Sequence, residues 1–451
     1  MDERLLEQID QRIEASRSAL MQSIKKLIAI KSVKGEPMPG APFGNGPRAI
    51  LDAVMEMGKA EGFYTTDYHV GVVSLALKEG EPDLGIWLHG DVVPEGKGWL
   101  WPPFDATEYQ GCIIGRGATD NKGQLCAIYY LLKIFKELGI QLRYNPALYV
   151  GSDEESGMHD MSGVPGNEDA KGFCNVCTPP RLSLVPDGSF PVGYGGKGSL
   201  KIRFSSKNPL NALKMTAGQP ETPGKALAHL YGKAIITHSL PRHGSKPDPN
   251  GNMITKLMTI LLDENLAADE NRSVLEFFKL LSLDTNGKQF GIDVVSEIMT
   301  PVVITTQRID MEDGRATLTA SVNYPIEITS EEIIRNIKSE AEKNGVVIKH
   351  VEQLREPYLL DENWSVITQL NDIANEITEQ DKEPYTVGGG TYAHKLPNAL
   401  VYGMNGCKKP EGFPEGHGGA HGLDELVSLD RLLRAMRIYA RALLALNEME
   451  W

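Results

Sequence analysis

Three apolar runs in this chain each stop at residues able to bind a metal. LGIWLHGD ends at His89 and Asp91, NPALYVGSDEESG at Asp153, Glu154 and Glu155, and LSLVPDG at Asp187. Two further candidates sit in glycine-rich surroundings: Asp120 in GRGATDNKG, just before a helical pattern, and His421 in GHGGAHGLDE. A single carboxylate after a strand is ordinarily a turn residue or a helix cap. Several at strand ends are less easily dismissed, because open α/β sheets bind ligands beyond the carboxyl ends of their strands. A mixed imidazole and carboxylate set suits zinc, manganese or cobalt, whereas calcium or magnesium favours oxygen alone.

Charge balance favours two ions over one. Two divalent cations bring +4, against −3 from Asp120, Glu155 and Asp187 and −1 from a shared hydroxide. Two ions roughly 3.5–4 Å apart share such a hydroxide, lower its pKa and polarise a carbonyl. Glu154 is then left as a free carboxylate beside the site, and a neighbouring carboxylate can carry a proton from water to a leaving amine.

The elements that must position these residues read as a layered α/β domain. Leu5, Ile9, Ile13, Leu20, Ile24 and Leu27 recur at helical spacing. From about residue 68, the short runs VGVVSLAL, LGIWLHG, NPALYVGS and RLSLVPDG alternate with helical stretches such as GQLCAIYYLLKIFKEL. That alternation predicts a mixed, mostly parallel sheet flanked by helices. After the glycine cluster VGYGGKG the texture changes to α+β, with a strand pair in VVITTQRIDMEDGRATLTASVNYP, the helix EEIIRNIKSEAEKNG and the strand VVIKHVEQL. NALVYGMN and DRLLRAMRIYARALLALNEM return to the first texture. The expected organisation is one catalytic domain in two segments, 1–192 and 357–451, interrupted by an inserted α+β lid domain, 193–356.

Composition narrows the partners. Across 451 residues, 46 Lys and Arg face 60 Asp and Glu, a net charge of −14. No basic face is implied, so neither nucleic acid nor an anionic membrane is an expected partner. No apolar run approaches the ~18 residues of a membrane span. The opening MDERLLEQIDQRIEASRSAL lacks the basic-then-apolar order of a secretory signal. Five sparse cysteines, with Cys174 and Cys177 read as free thiols, complete the expectation of a cytoplasmic protein.

The stretches HGDVVPEGKGW, GRGATDNKG, SDEESG, PDGSFPVGYGGKG, HGSKPDPNGN, GGGTYAHKLPN and AHGLDE follow one another along nearly the whole chain. In that order they resemble the metal-dependent aminoacylase/carboxypeptidase superfamily of di-zinc peptidases and deacylases, and within it the PepV-type bacterial cytosolic dipeptidases. The resemblance implies two metal ions, zinc by default, with manganese or cobalt fitting the same ligands. Their implied ligands are His89, Asp120, Glu155, Asp187 and His421, with Asp120 bridging. Glu154 is implied as general base and acid, and Asp91 as the group that orients His89 through its other ring nitrogen. A cis peptide after Asp120 is implied as well. His243 in HGSKP is implied as the lid histidine that stabilises the oxyanion, with His238 as its competitor.

Two departures from the family pattern concern substrate binding. Asn323 stands where the family often has arginine before Tyr-Pro, and His394 where it often has arginine after GGGTYA. Recognition of the substrate carboxylate then falls to His394, Asn252 and the backbone of Gly389, Gly390 and Thr391. The implied activity is hydrolysis of a dipeptide by a bridging hydroxide, in a monomer or a homodimer. The competing activities are an N-acyl-amino-acid deacylase or desuccinylase of the same superfamily and a non-catalytic peptide- or metal-binding homologue. The full set of ligands and base argues against the last.

Overall fold

A computed structural model describes every residue except 1, 165, 211–212, 218–223, 231–232, 240–247 and 406–408. The amphipathic N-terminal stretch forms two helices, Glu3–Ala15 and Arg17–Ile28. They break at Ser16, whose hydroxyl donates to the Ile13 carbonyl at 2.7 Å. A serine bonding back to its own helix competes with the backbone ladder in this way. Ile9, Ile13, Leu20, Ile24 and Leu27 are buried, as their spacing requires.

The chain divides into two compact units. The first contains Met1–Tyr194, Leu360–Tyr385 and Thr391–Trp451; the second contains Gly195–Leu359 and Thr386–Gly390.

The first unit is built on a mixed, mostly parallel sheet. Its strands run in the order Tyr64–Asp67, Val72–Ala76, Pro146–Gly151, Leu84–His89, Leu182–Val185, Ala399–Val401 and Gly193–Gly196. The four from Pro146–Gly151 to Ala399–Val401 are parallel to one another. The outer strands are antiparallel. The parallel four are buried along their whole lengths. This is why they read as continuous apolar runs: a parallel sheet is covered on both faces. Helices Gly123–Glu137 and Leu429–Asn447 contribute broad apolar faces, including Leu125, Ile128 and Leu132 from one and Leu432, Met436 and Leu443 from the other. Because the middle strands are parallel, their carboxyl ends share one edge. That edge receives His89, the turn after Gly151, and Asp187.

The second unit is antiparallel throughout its larger sheet, ordered Val303–Glu312, Arg315–Tyr324, Gly198–Ser206 and Val346–Arg355. The strand pair foreseen around MEDG is a hairpin turning at Asp313 and Gly314, both at positive φ (48° and 75°). Aspartate and glycine tolerate that left-handed conformation, and the turn's twist suits the strands it joins. Helices Met253–Asp263, Asp269–Leu283 and Ser330–Lys343 bury Leu257, Phe278 and Ile337 in one apolar cluster with Leu200, Phe204 and Leu318. Strands Leu213–Ala217, Gly224–Leu230 and Lys233–Ser239 form a second, smaller sheet. Among the described residues, no helix is long and apolar enough to cross a membrane.

Candidate metal centre

His89 is the last residue of its strand. Its Nε2 lies 2.9 Å from Asp120 Oδ1 and 3.9 Å from Asp187 Oδ2. His421 Nε2 lies 3.1 Å from Asp120 Oδ2 and 2.9 Å from Glu155 Oε2. Asp120 therefore turns one oxygen to each imidazole. The result is two overlapping groups, His89–Asp120–Asp187 and Asp120–Glu155–His421, each with ligand atoms within 4.8 Å of one another. The peptide bond from Asp120 to Asn121 is cis.

The electrostatics of this cluster fit bound cations. Four carboxylates, Asp120, Glu154, Glu155 and Asp187, are gathered with only two imidazoles. Burial, reinforced by the charge of Asp120, pushes Glu155 up to about 7 and Asp187 up to about 6. Glu154 is raised well above the ordinary carboxylate range, first by burial and then by Asp187, Glu155 and Asp120, with His89 opposing. Asp120 is also buried, but hydrogen bonds with His421 and His89 outweigh that and hold it well below its usual value. Divalent cations would relieve this crowding of negative charge, and nitrogen and oxygen donors of this kind suit zinc, manganese or cobalt.

Asp91 contacts both His89 and the turn of the two glutamates. His89 Nδ1 lies 3.0 Å from the Asp91 carbonyl and 3.5 Å from its carboxylate, so the main chain makes the closer contact. The carboxylate accepts the backbone N–H groups of Glu154 at 3.2 Å and Glu155 at 3.1 Å. Asp91 thus fixes the turn that carries both glutamates as well as the ring of His89. The same turn is held from behind by Asp160, whose Oδ2 accepts from Ser152 N–H (2.8 Å), Asp153 N–H (3.1 Å) and the Tyr392 hydroxyl (2.6 Å). Asp153 is engaged elsewhere, with Lys34 at 2.6 Å and His159 at 2.7 Å.

Glu425 is a supporting residue that the sequence did not reveal. It is fully buried. Its Oε1 accepts from Thr119 N–H at 2.9 Å and Asp120 N–H at 3.0 Å; its Oε2 accepts from Gly117 N–H at 3.1 Å and Arg116 Nη1 at 2.6 Å. Arg116 in turn donates to the His421 carbonyl at 3.2 Å and lies 5.2 Å from the Trp99 ring. One carboxylate therefore braces the loop of Asp120 and, through Arg116, the backbone of His421. Beside it, Asp424 accepts from the N–H groups of Leu100 (2.9 Å) and Trp101 (3.1 Å). The available signal was AHGLDE, where two acids directly precede the buried strand Leu426–Ser428.

His243 falls outside the described residues, and His238 is exposed near the end of its strand. Asn252 caps the helix Met253–Asp263: its Oδ1 accepts from Ile254 N–H (2.8 Å) and Thr255 N–H (3.4 Å), and its Nδ2 donates to Thr306 Oγ1 (3.2 Å). Gly389 and Gly390 belong to the second unit. A Cβ on Gly390 would sit 2.5 Å from Arg355 Nη1, so a larger residue there would require the Arg355 guanidinium to move. Asn323, where an arginine was expected, has its Oδ1 3.4 Å from Arg355 Nη2. In the first unit, Thr391 Oγ1 accepts from Ala393 N–H at 3.2 Å, and His394 Nδ1 lies 3.3 Å from the Thr391 carbonyl. Cys174 and Cys177 are free thiols.

Comparison with known proteins sets this geometry in context. A family model described as "Peptidase family M20/M25/M40" matches residues 86–445. A Bacillus subtilis protein named "Putative dipeptidase YtjP" is 27% identical over 464 residues, covering 94% of this chain and 96% of its own. A "Putative dipeptidase" of Staphylococcus epidermidis is 26% identical over 470 residues, covering 95% and 97%. Among solved structures, the yeast di-peptidase Dug1p of Saccharomyces cerevisiae superposes with a TM-score of 0.63 at 14% identity, covering 99% of both chains. Human carnosine dipeptidase 1 superposes with a TM-score of 0.60 at 16% identity, covering 98% of this chain and 100% of its own. At such identities the structures speak for the fold.

Proposed function

Because the chain belongs to peptidase family M20/M25/M40, we propose that it is a metal-dependent dipeptidase using two divalent ions. The observation that carries this reading is Asp120, which turns one oxygen to His89 and the other to His421 at the centre of two ligand groups. His89 and Asp187 would hold one cation, His421 and Glu155 the other, and Asp120 both. When bound, the cations supply Lewis acidity that acidifies water and polarises a peptide carbonyl. Zinc is the default, and manganese or cobalt would suit the same donors.

The chain's own residues then do the following. Glu154, its backbone fixed by Asp91, accepts a proton from the attacking water at its carboxylate and returns it to the departing amine. Burial raises its pKa above the ordinary carboxylate range, which favours its holding the proton between the two transfers. His243, on the inserted segment, is assigned the hydrogen bond to the carbonyl oxygen as negative charge develops there. The Gly389–Gly390–Thr391 backbone and His394 are assigned to the substrate carboxylate.

The test is metal analysis of the purified protein combined with a panel of dipeptides, N-acetyl amino acids and N-succinyl amino acids. Two equivalents of metal and preferential cleavage of free dipeptides are expected. Preferential cleavage of the acyl amino acids would replace the dipeptidase reading with a deacylase of the same chemistry. Full activity in the presence of a strong chelator would remove the metal-dependent reading altogether.

A further inference from the structure

The two ligand groups that share Asp120 are not alike. Glu155 presents both carboxylate oxygens to its imidazole: Oε1 lies 3.1 Å and Oε2 2.9 Å from His421 Nε2. Asp187 presents only Oδ2, 3.9 Å from His89 Nε2. Its Oδ1 accepts a hydrogen bond from Asn405 Nδ2 at 3.0 Å.

The Asn405 amide is itself held in place. Its Oδ1 accepts from Gln124 Nε2 at 2.8 Å, and its backbone N–H donates to the Gly188 carbonyl at 2.6 Å. Arg431 donates to its carbonyl and to that of Met404. Gln124 Nε2 also donates to the Thr119 carbonyl, one residue before Asp120. Turning the Asn405 amide over would set its oxygen against the Asp187 carboxylate and its NH2 against that of Gln124. The hydrogen-bond inventory therefore leaves one orientation, with the donor toward Asp187.

Resting on the two-ion reading above, we propose that Asn405 is a positioning residue for one half of the metal centre. It anchors Asp187 by one oxygen and thereby aims the other, and without that anchor neither oxygen is directed at a cation; the His89–Asp187 half thus offers one aimed carboxylate oxygen of its own where the Glu155–His421 half offers two. The two cations are consequently held unequally, and the one on His89 and Asp187 is the weaker and the first to leave. Hydrogen-bond partners of ligating carboxylates act in this manner, and their loss commonly costs ten- to hundredfold in metal affinity. Among the described residues Asn405 bonds to Asp187 and to no ligand of the His421 half, so its effect falls chiefly on one ion.

The experiment is stepwise addition of cobalt(II) to the metal-free full-length protein, followed by visible absorption and equilibrium dialysis. The wild-type protein is expected to take up two equivalents in two separated steps. Asn405→Ala, and the volume-matched Asn405→Leu, should weaken the second step about ten- to hundredfold and leave the first within about twofold. Glu425→Gln, which loosens the shared Asp120 loop, should weaken both steps and so marks what a general disturbance looks like. Two equal steps in the wild type, an equal shift of both steps in the Asn405 variants, or an unmoved or tightened second step would overturn the proposal. Uptake of fewer than two equivalents by the wild type would overturn the two-ion reading itself, and this inference with it.

Discussion

The two units bury different kinds of residue. The first holds His89, Asp91, Arg116, Asp120, Lys122, Asp153, Asp160, Asp424 and Glu425 out of solvent. Among the described residues of the second, Lys197 is the one buried charged side chain, and the other buried polar groups are serines, threonines and Asn271. Burying charge is expensive unless every group is paired. The first unit meets that cost with a mesh in which Glu425, Asp160 and Asp91 each accept two or more backbone or side-chain donors. The second unit rests on an apolar cluster and has no such obligation. A protein violates the rules of a comfortable core where chemistry requires it, and here, Lys197 aside, that violation lies in the unit that holds the candidate metal centre.

Substitutions in the first unit should therefore separate chemistry from stability, while those in the second should move stability alone. The largest expected effect is at Glu154. Glu154→Ala should leave metal content intact and lower turnover by roughly a thousandfold or more, the upper range of general acid–base contributions; near-normal turnover would remove it from the reaction. Next, Arg116→Ala leaves the buried Glu425 without its counter-charge and should destabilise the metal-free protein by about 3 kcal/mol, read from denaturant unfolding.

The third expectation concerns pH. Burial raises Glu155 to about 7 and Asp187 to about 6, and ligands must lose their protons before a cation binds. Cation affinity should thus fall as pH drops through that window, with protons released on binding; a flat affinity across it would contradict the assigned ligands. The smallest effect is reserved for the second unit. Thr329 caps the helix Ser330–Lys343 through a reciprocal bond with Glu332. Thr329→Ala should cost about 1 kcal/mol with kcat/KM unchanged, and a large loss of turnover there would blur the contrast between the units.

Much of the first unit was legible because its chemistry sits at strand ends. A buried parallel strand reads as an uninterrupted apolar run, so its last residue stands out, and His89 and Asp187 were visible on that ground alone. Asp120 and His421 were visible as polar residues in glycine-rich turns, and the resemblance supplied their partners. Glu425 and Asn405 were not visible. Their roles depend on contacts with residues about two to three hundred positions earlier, and locally each is an ordinary loop residue. Asp91 was legible as a partner of His89, but not as the acceptor for Glu154 and Glu155, because backbone donors leave no trace in side-chain identity. The break at Ser16 was hidden for a similar reason: its hydroxyl bonds to its own helix without disturbing the apolar spacing on either side.

The placement of Ala399–Val401 between Leu182–Val185 and Gly193–Gly196 has a consequence for biosynthesis. At roughly 5–20 residues per second, the ribosome delivers this strand some tens of seconds at most after the neighbour it must pair with. By the end of that interval the whole of Gly195–Leu359 has emerged and can fold first, while the first unit waits with an open place in its sheet. His421, Glu425 and Asn405 emerge only after that strand. The growing chain therefore carries four of the five candidate ligands and, on the two-ion reading proposed above, lacks a complete second site until His421 is made and docks. On that reading metal loading is a late step, open only to chains made past His421.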